Sequence, residues 1–346
     1  MSQRGDGRRE RHRRSRRLIV LVVVIELIGI GALAVALTSS ATSSPRPRAA
    51  AMTTGAISPT RLVAHPQNPL ADTTSSETTA PATATATVRA AAPRPRVKTG
   101  TPGELVAGAH AAAAEAAALS SGGVQVSVAI AAAHGPLIAG YNPDVPSFGA
   151  SVTKALLLLA AARAAGDTPI SGSLANTLAG MIQASDNADA NTVFKALPNG
   201  SSDVQAAADA AGMTSFQLDT SDPVYVLGQS RVTAADLAGL FARFRQLLPV
   251  PQRSLAMQLL ATPSADQQDG LRLAGLPEPL YSKEGWKPEP SGMPGAPYVV
   301  TQAVRFPYAG QPFGIAVTVQ GTVDKPAGDA LAQQVGQTLA AHLHTG

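Results

Sequence analysis

The chain has 346 residues, a formal net charge of +4 and a pI near 9.6, which invites a nucleic-acid reading until the charge is located. Residues 1–17 carry eight Arg against Asp6 and Glu10, whereas residues 104–346 carry twelve basic and eighteen acidic side chains, so the folded part is acidic and no nucleic-acid partner is expected. Cys is absent, which excludes disulfides and thiolate chemistry, and the six His show no ligand spacing beyond His342 and His344, read as a frayed tail, so neither a metal nor another cofactor is expected.

In chain order, the basic tail 1–17 precedes a segment, 18–38, whose first 20 residues are apolar except for Glu26. A helix of that length just spans a hydrocarbon core of about 30 Å. The Arg cluster before it predicts a cytoplasmic N-terminus and an exported remainder. The competing reading is a cleaved signal peptide, with Ala34-Val35-Ala36 as a candidate cleavage site, and then the protein is secreted. Either way the C-terminal part lies outside the cytoplasmic membrane. Residues 39–103 are Ala, Thr, Ser and Pro in loose repetition, with too few large apolar side chains to offset the entropy of ordering. The expectation is a disordered tether, stiffened by Pro.

The folded domain is expected over 104–346. An Ala-rich helical stretch at 104–119 leads to β-like runs at 124–130 and 136–141. Helical patterns follow at 152–165, 173–184, 188–197, 202–211, 233–248 and 252–261. Three β-like runs at 280–286, 297–306 and 312–320 precede a final helix at 326–343. Such an order predicts an α+β fold: an antiparallel sheet flanked by the terminal helices, with an all-helical lobe beside it.

Three short segments carry candidate chemistry. Ser151 stands at a helix start, where free N–H groups favour a developing oxyanion, and Lys154 lies one turn on, within reach of the Ser151 hydroxyl. A Lys in an apolar cleft has a lowered pKa, and a neutral amine is a competent base for a Ser. Alone, Ser151 reads equally as a plain helix cap. Ser185-Asp186-Asn187 ends an apolar helix, where a hydroxyl and a carboxamide can enter a shared cleft, or where an ordinary Asx turn can sit. Tyr281-Ser282-Lys283-Glu284-Gly285-Trp286 lies on the first strand after the helical block. Lys283 offers positive charge to an anionic substrate, and Gly285 allows a ligand close to the strand backbone.

In combination and order, Ser-x-x-Lys, Ser-Asp-Asn and Lys-x-Gly resemble the active-site segments of class A serine β-lactamases and penicillin-binding proteins, across roughly 105–345. The resemblance implies a β-lactamase/transpeptidase-like fold and a serine hydrolase with an acyl-enzyme intermediate. Ser151 would be the nucleophile, Lys154 the base, and Ser185 the relay to the leaving nitrogen. Asn187 would hold the substrate amide, Lys283 would attract its carboxylate, and the backbone N–H groups of Ser151 and Trp286 would form the oxyanion hole. The implied partner is a β-lactam or a peptidoglycan-like peptide, bound by a monomer.

The chain departs from the family in three places. Glu284 replaces the motif's hydroxyl residue, which impairs carboxylate binding if it faces the cleft and is harmless if it does not. No Glu lies between Glu115 and Glu278, so the family's deacylating carboxylate is missing, with Asp219 and Asp222 the nearby substitutes. Ser151 and Ser185 are also close in sequence, implying a reduced helical lobe and a more open cleft. These departures leave a second possibility from another class, a non-catalytic or acylation-only protein that binds envelope peptide or a protein partner.

Overall fold

The structure, a computed structural model, describes residues 100–288 and 297–343. The expected basic tail, the membrane segment 18–38 and the tether up to residue 99 lie outside the described residues. Among those described, no helix is long and apolar enough to cross a membrane.

Helix α1 (Pro102–Leu119) starts two residues earlier than the sequence pattern suggests, because Thr101 and Glu104 form a reciprocal capping box. Strands β1 (Gln125–Ala132) and β2 (Leu137–Tyr141) form a hairpin. The helical lobe comprises α2 (Thr153–Ala165), α3 (Gly172–Gln183), α4 (Asn187–Ala196), α5 (Ser201–Ala210), α6 (Ala234–Leu247) and α7 (Arg253–Ala261). Two two-residue strands, β3 (Ser147–Phe148) and β4 (Arg231–Val232), pair within it. Strands β5 (Tyr281–Pro288), β6 (Tyr298–Tyr308) and β7 (Gln311–Thr322) and helix α8 (Lys325–Leu343) complete the chain.

The main sheet is antiparallel throughout, in the order β2-β1-β7-β6-β5, which leaves β5 at an edge. Alternation along β1 divides the core. Val126, Val128 and Ile130 face the layer of α1 and α8, while Ala129 and Ala131 face the helical lobe. The lobe side is lined by small residues because α6 lies close against it. A Cβ on Gly314 of β7 would sit 2.7 Å from Ala242 N of that helix and closer still to Ala238 O.

Helix α2 is buried from Thr153 to Ala162, the mark of a central helix apolar on every side. That burial places Lys154, its second residue, inside the protein. The arrangement is therefore α+β, with the terminal helices on one face of an antiparallel sheet, the helical lobe on the other, and the edge strand β5 beside the start of α2.

Candidate active site

Ser151 lies on a single 3₁₀ turn, Ala150–Val152, that runs directly into α2, so it sits just before the α-helix proper. The turn is held from several directions. Gly149 N donates to Ser230 O at 2.9 Å, Thr301 Oγ1 donates to Phe148 O at 2.8 Å, and Thr153 Oγ1 donates to Ala150 O at 2.6 Å. Ala150 is left-handed, with φ 42°, a strained conformation for a residue with a side chain that such anchoring sustains. Tyr225 adds a further anchor: its hydroxyl lies 2.9 Å from Thr153 Oγ1, and burial raises its pKa above the ordinary tyrosine value.

The Lys154 side chain points back along this turn. Its Nζ donates to Ser151 Oγ at 3.0 Å, to Ser185 O at 2.5 Å, to Ser185 Oγ at 3.2 Å and to Asn187 Oδ1 at 2.7 Å. Ser185 is also left-handed, φ 57°, at the joint between α3 and α4, and this conformation turns both its oxygens toward the amine. Asp186 caps α4 by accepting from Asp189 N at 2.8 Å, which fixes Asn187 in that helix's first turn. Two segments distant in sequence, 151–154 and 185–187, thus meet at one nitrogen.

Burial lowers the Lys154 pKa from 10.5 to about 7, with help from the positive charge of Lys283 and against the pull of Asp186. The Tyr225 ring centroid lies 4.8 Å from Nζ, a cation–π contact that favours the charged form. Lys154 is therefore poised to carry or release a proton near neutral pH.

On β5 the pleat separates neighbours. The Lys283 amine donates to Gln267 Oε1 at 3.1 Å and to Glu284 O at 2.9 Å, and burial lowers its pKa to about 8. Glu284 turns the other way, toward α8, where its Oε1 lies 3.4 Å from Lys325 Nζ. Lys325 also pairs with Asp269 at 2.5 Å and Asp329 at 2.7 Å. Neither Glu284 oxygen accepts a hydrogen bond, and burial raises its pKa to about 7 despite Lys325. Of the two orientations open to Glu284, the structure takes the one that keeps it out of the cleft.

Gly285 packs against the Ser151 turn. A Cβ there would lie 2.5 Å from Ser151 N and 2.7 Å from Val152 N, so the missing side chain admits that turn. Trp286, the next residue, is partly exposed, with its ring 6.1 Å from that of Tyr298.

Ser151 and Asn187 open onto a cleft of about 300 Å³, lined also by Asp222, Val224 and Tyr225 from the loop before β4, and by Trp286 and Lys287 from β5. Lys283 does not line it. Of the two acidic substitutes, Asp219 lies outside the lining, with its pKa lowered by hydrogen bonds from Ser221. Asp222 lies within it. Its Oδ1 accepts from Val224 N at 2.9 Å and Tyr225 N at 3.1 Å, and its Oδ2 stands 3.5 Å from Lys287 Nζ. Tyr225 and Lys287 escaped the sequence reading, since one Tyr and one Lys outside any motif give no signal. Among the described residues, no three His, Asp or Glu side chains gather in a metal-binding arrangement.

Comparison with known proteins agrees with this geometry. Residues 167–343 match the description of the β-lactamase enzyme family; the match begins after the Ser151 turn and includes the Ser185 and Lys283 segments. Among solved structures the chain is similar to a class A β-lactamase representative from Bacteroides cellulosilyticus, with TM-score 0.56 and 16% identity over 69% of this chain and 99% of that one. It is also similar to a β-lactamase from Xanthomonas campestris, with TM-score 0.54 and 18% identity over 68% and 98%. The structure of L2 complexed with relebactam gives TM-score 0.54 and 19% identity over 69% and 98%. These identities speak for the fold alone. No curated protein sequence matches the chain.

Proposed function

The chain belongs to the β-lactamase enzyme family, and from that premise we propose that it is an exported, membrane-anchored serine hydrolase in which Ser151 forms an acyl-enzyme with a β-lactam or a cell-wall peptide amide. One observation carries the reading: a single buried amine, Lys154, stands 3.0 Å from the Ser151 hydroxyl and 3.2 Å from the Ser185 hydroxyl.

In the neutral state Lys154 takes the Ser151 proton as Oγ bonds the substrate carbonyl carbon. The backbone N–H groups of Ser151 and Trp286 receive the oxyanion. Ser185 passes the proton from Lys154 to the departing nitrogen, and the C–N bond breaks. Asn187 is held through Oδ1, which leaves its Nδ2 to donate to a substrate carbonyl. The positive charge of Lys283 adds to burial in lowering the Lys154 pKa. Glu284, facing Lys325, does not oppose a substrate carboxylate.

Acylation and hydrolysis are supported unequally. The atoms that make the acyl-serine are assembled, whereas the cleft carboxylate Asp222 has both oxygens engaged. Slow hydrolysis follows, and the protein behaves closer to a penicillin-binding protein than to a fast β-lactamase. We read 18–38 as an anchor and 39–103 as a tether that leave the domain outside the membrane, where cell-wall peptide would be the native polymer within reach.

The test is a time course with the detergent-solubilised full-length protein and a fluorescent penicillin, followed by intact mass. An adduct that forms within minutes and decays over hours matches the proposal. No adduct at millimolar penicillin contradicts it for β-lactams and leaves the peptide-binding reading in its place.

A further inference from the structure

Breaking an acyl-serine ester requires a group to take a proton from water, and among the described residues the Ser151 cleft is lined by one carboxylate, that of Asp222. The two backbone N–H groups that bind its Oδ1 form a tight turn at 222–225 and fix the carboxylate's orientation. That leaves Oδ2 as the oxygen free to turn to water, and Lys287 stands against it.

Lys287 is not a loose surface amine. Its Nζ lies 3.5 Å from Asp222 Oδ2, 3.4 Å from Gly228 O and 5.0 Å from the centroid of the Phe148 ring. The side chains of Lys287 and Asp222 are only 15% and 14% exposed, so solvent and salt screen the pair weakly. The amine comes from β5 and the carboxylate from the facing loop, so the pair ties the two walls of the cleft together. The Lys287 amine fills one side of Oδ2, a place that a water donating to that oxygen would otherwise take.

We propose that Lys287 is a brake on deacylation, a positioning residue that withholds Asp222 from the acyl-Ser151 ester by pairing with it across the cleft. This rests on the acyl-serine reading above. With the brake released, the water oxygen bonds the acyl carbon and one water proton passes to Asp222 Oδ2. The bond from carbon to Ser151 Oγ then breaks, and that proton ends on Oγ. Ester and water become free serine and a carboxylic acid.

The test starts from the full-length protein acylated with a fluorescent penicillin and freed of excess label, with adduct loss followed by intact mass. Lys287→Gln is expected to shorten the adduct lifetime about tenfold or more, in the range of general-base contributions. Lys287→Arg, which keeps the charge, is expected to stay slow. Asp222→Asn added to Lys287→Gln is expected to return the lifetime to the wild-type value. Equal lifetimes in wild type and Lys287→Gln overturn the brake. A double variant as fast as Lys287→Gln also overturns it, because a loosened loop rather than Asp222 then explains the gain. Absence of any adduct on the wild-type protein removes the acyl-serine reading and the brake together, a result distinct from both.

Discussion

If Ser151 is acylated as proposed, the lowered pKa of Lys154 sets the pH dependence of that step. The amine accepts the Ser151 proton only when neutral, so the rate follows the neutral fraction. With a midpoint of about 7, that fraction is about 9% at pH 6 and about 91% at pH 8, a tenfold rise across two pH units. A lysine at its ordinary 10.5 would be neutral in about one molecule in 3,000 at pH 7. Burial and the Lys283 charge therefore make about a thousandfold more base available near neutrality. The assay is the second-order rate constant for labelling by a fluorescent penicillin, measured at intervals from pH 5.5 to 9. The expected curve rises to a plateau near pH 8, and Lys154→Met both flattens it and lowers the plateau by about 10²–10⁴. A flat wild-type profile, or a midpoint above 9, refutes the assignment of Lys154 as base.

Other variants probe the neighbours. Ser185→Ala removes the relay hydroxyl 3.2 Å from Lys154 Nζ and should slow labelling about a hundredfold, with little change in melting temperature. Gly285→Ala drives a Cβ to 2.5 Å from Ser151 N; a loss of about 2 kcal/mol in denaturant unfolding is expected from overpacking, together with a fall in labelling as the turn shifts. Glu284 supplies a pH test of stability. Its folded pKa, about 7, lies above the ordinary 4.5, so the stability from holding that proton is full below pH 4.5 and lost as pH rises through 7. Glu284→Gln should therefore match wild type in thermal melts at pH 4 and exceed it by about 3 kcal/mol at pH 8. Glu284→Thr should label as fast as wild type, because that side chain faces α8 rather than the cleft.

Much of the fold was legible because its helices are long and well delimited. The pattern at 152–165 became Thr153–Ala165, and that at 326–343 became Lys325–Leu343. Local caps at Thr101, Asp186 and Thr233 set three of the starts. Strands β3 and β4 left no trace in the sequence: two residues are too few for a period, and they exist only through the pairing of Ser147 with Val232 and Phe148 with Arg231. At the site, the approach of Lys154 to Ser151 is a local helical relation and could be read directly. The convergence of Ser185 and Asn187 on the same amine depends on tertiary packing, and only the resemblance to a known family anticipated it. Strand alternation placed Lys283 and Glu284 on opposite faces without revealing which face was which. The position of α8, with Lys325 beneath Glu284, decides that. For Gly285 the sequence indicated a close approach, and the structure shows the backbone of the Ser151 turn beside it.

The central claim is that Ser151 attacks a carbonyl inside the Lys154 and Ser185 cage, and a diffraction structure of crystals soaked in a penicillin tests it most directly. The account predicts continuous density from Ser151 Oγ to the opened lactam carbonyl, its oxygen between the N–H groups of Ser151 and Trp286, and Lys154 Nζ still in hydrogen-bond range of Oγ. Intact penicillin lying in the cleft with no bond to Ser151, or an adduct on another side chain, contradicts it.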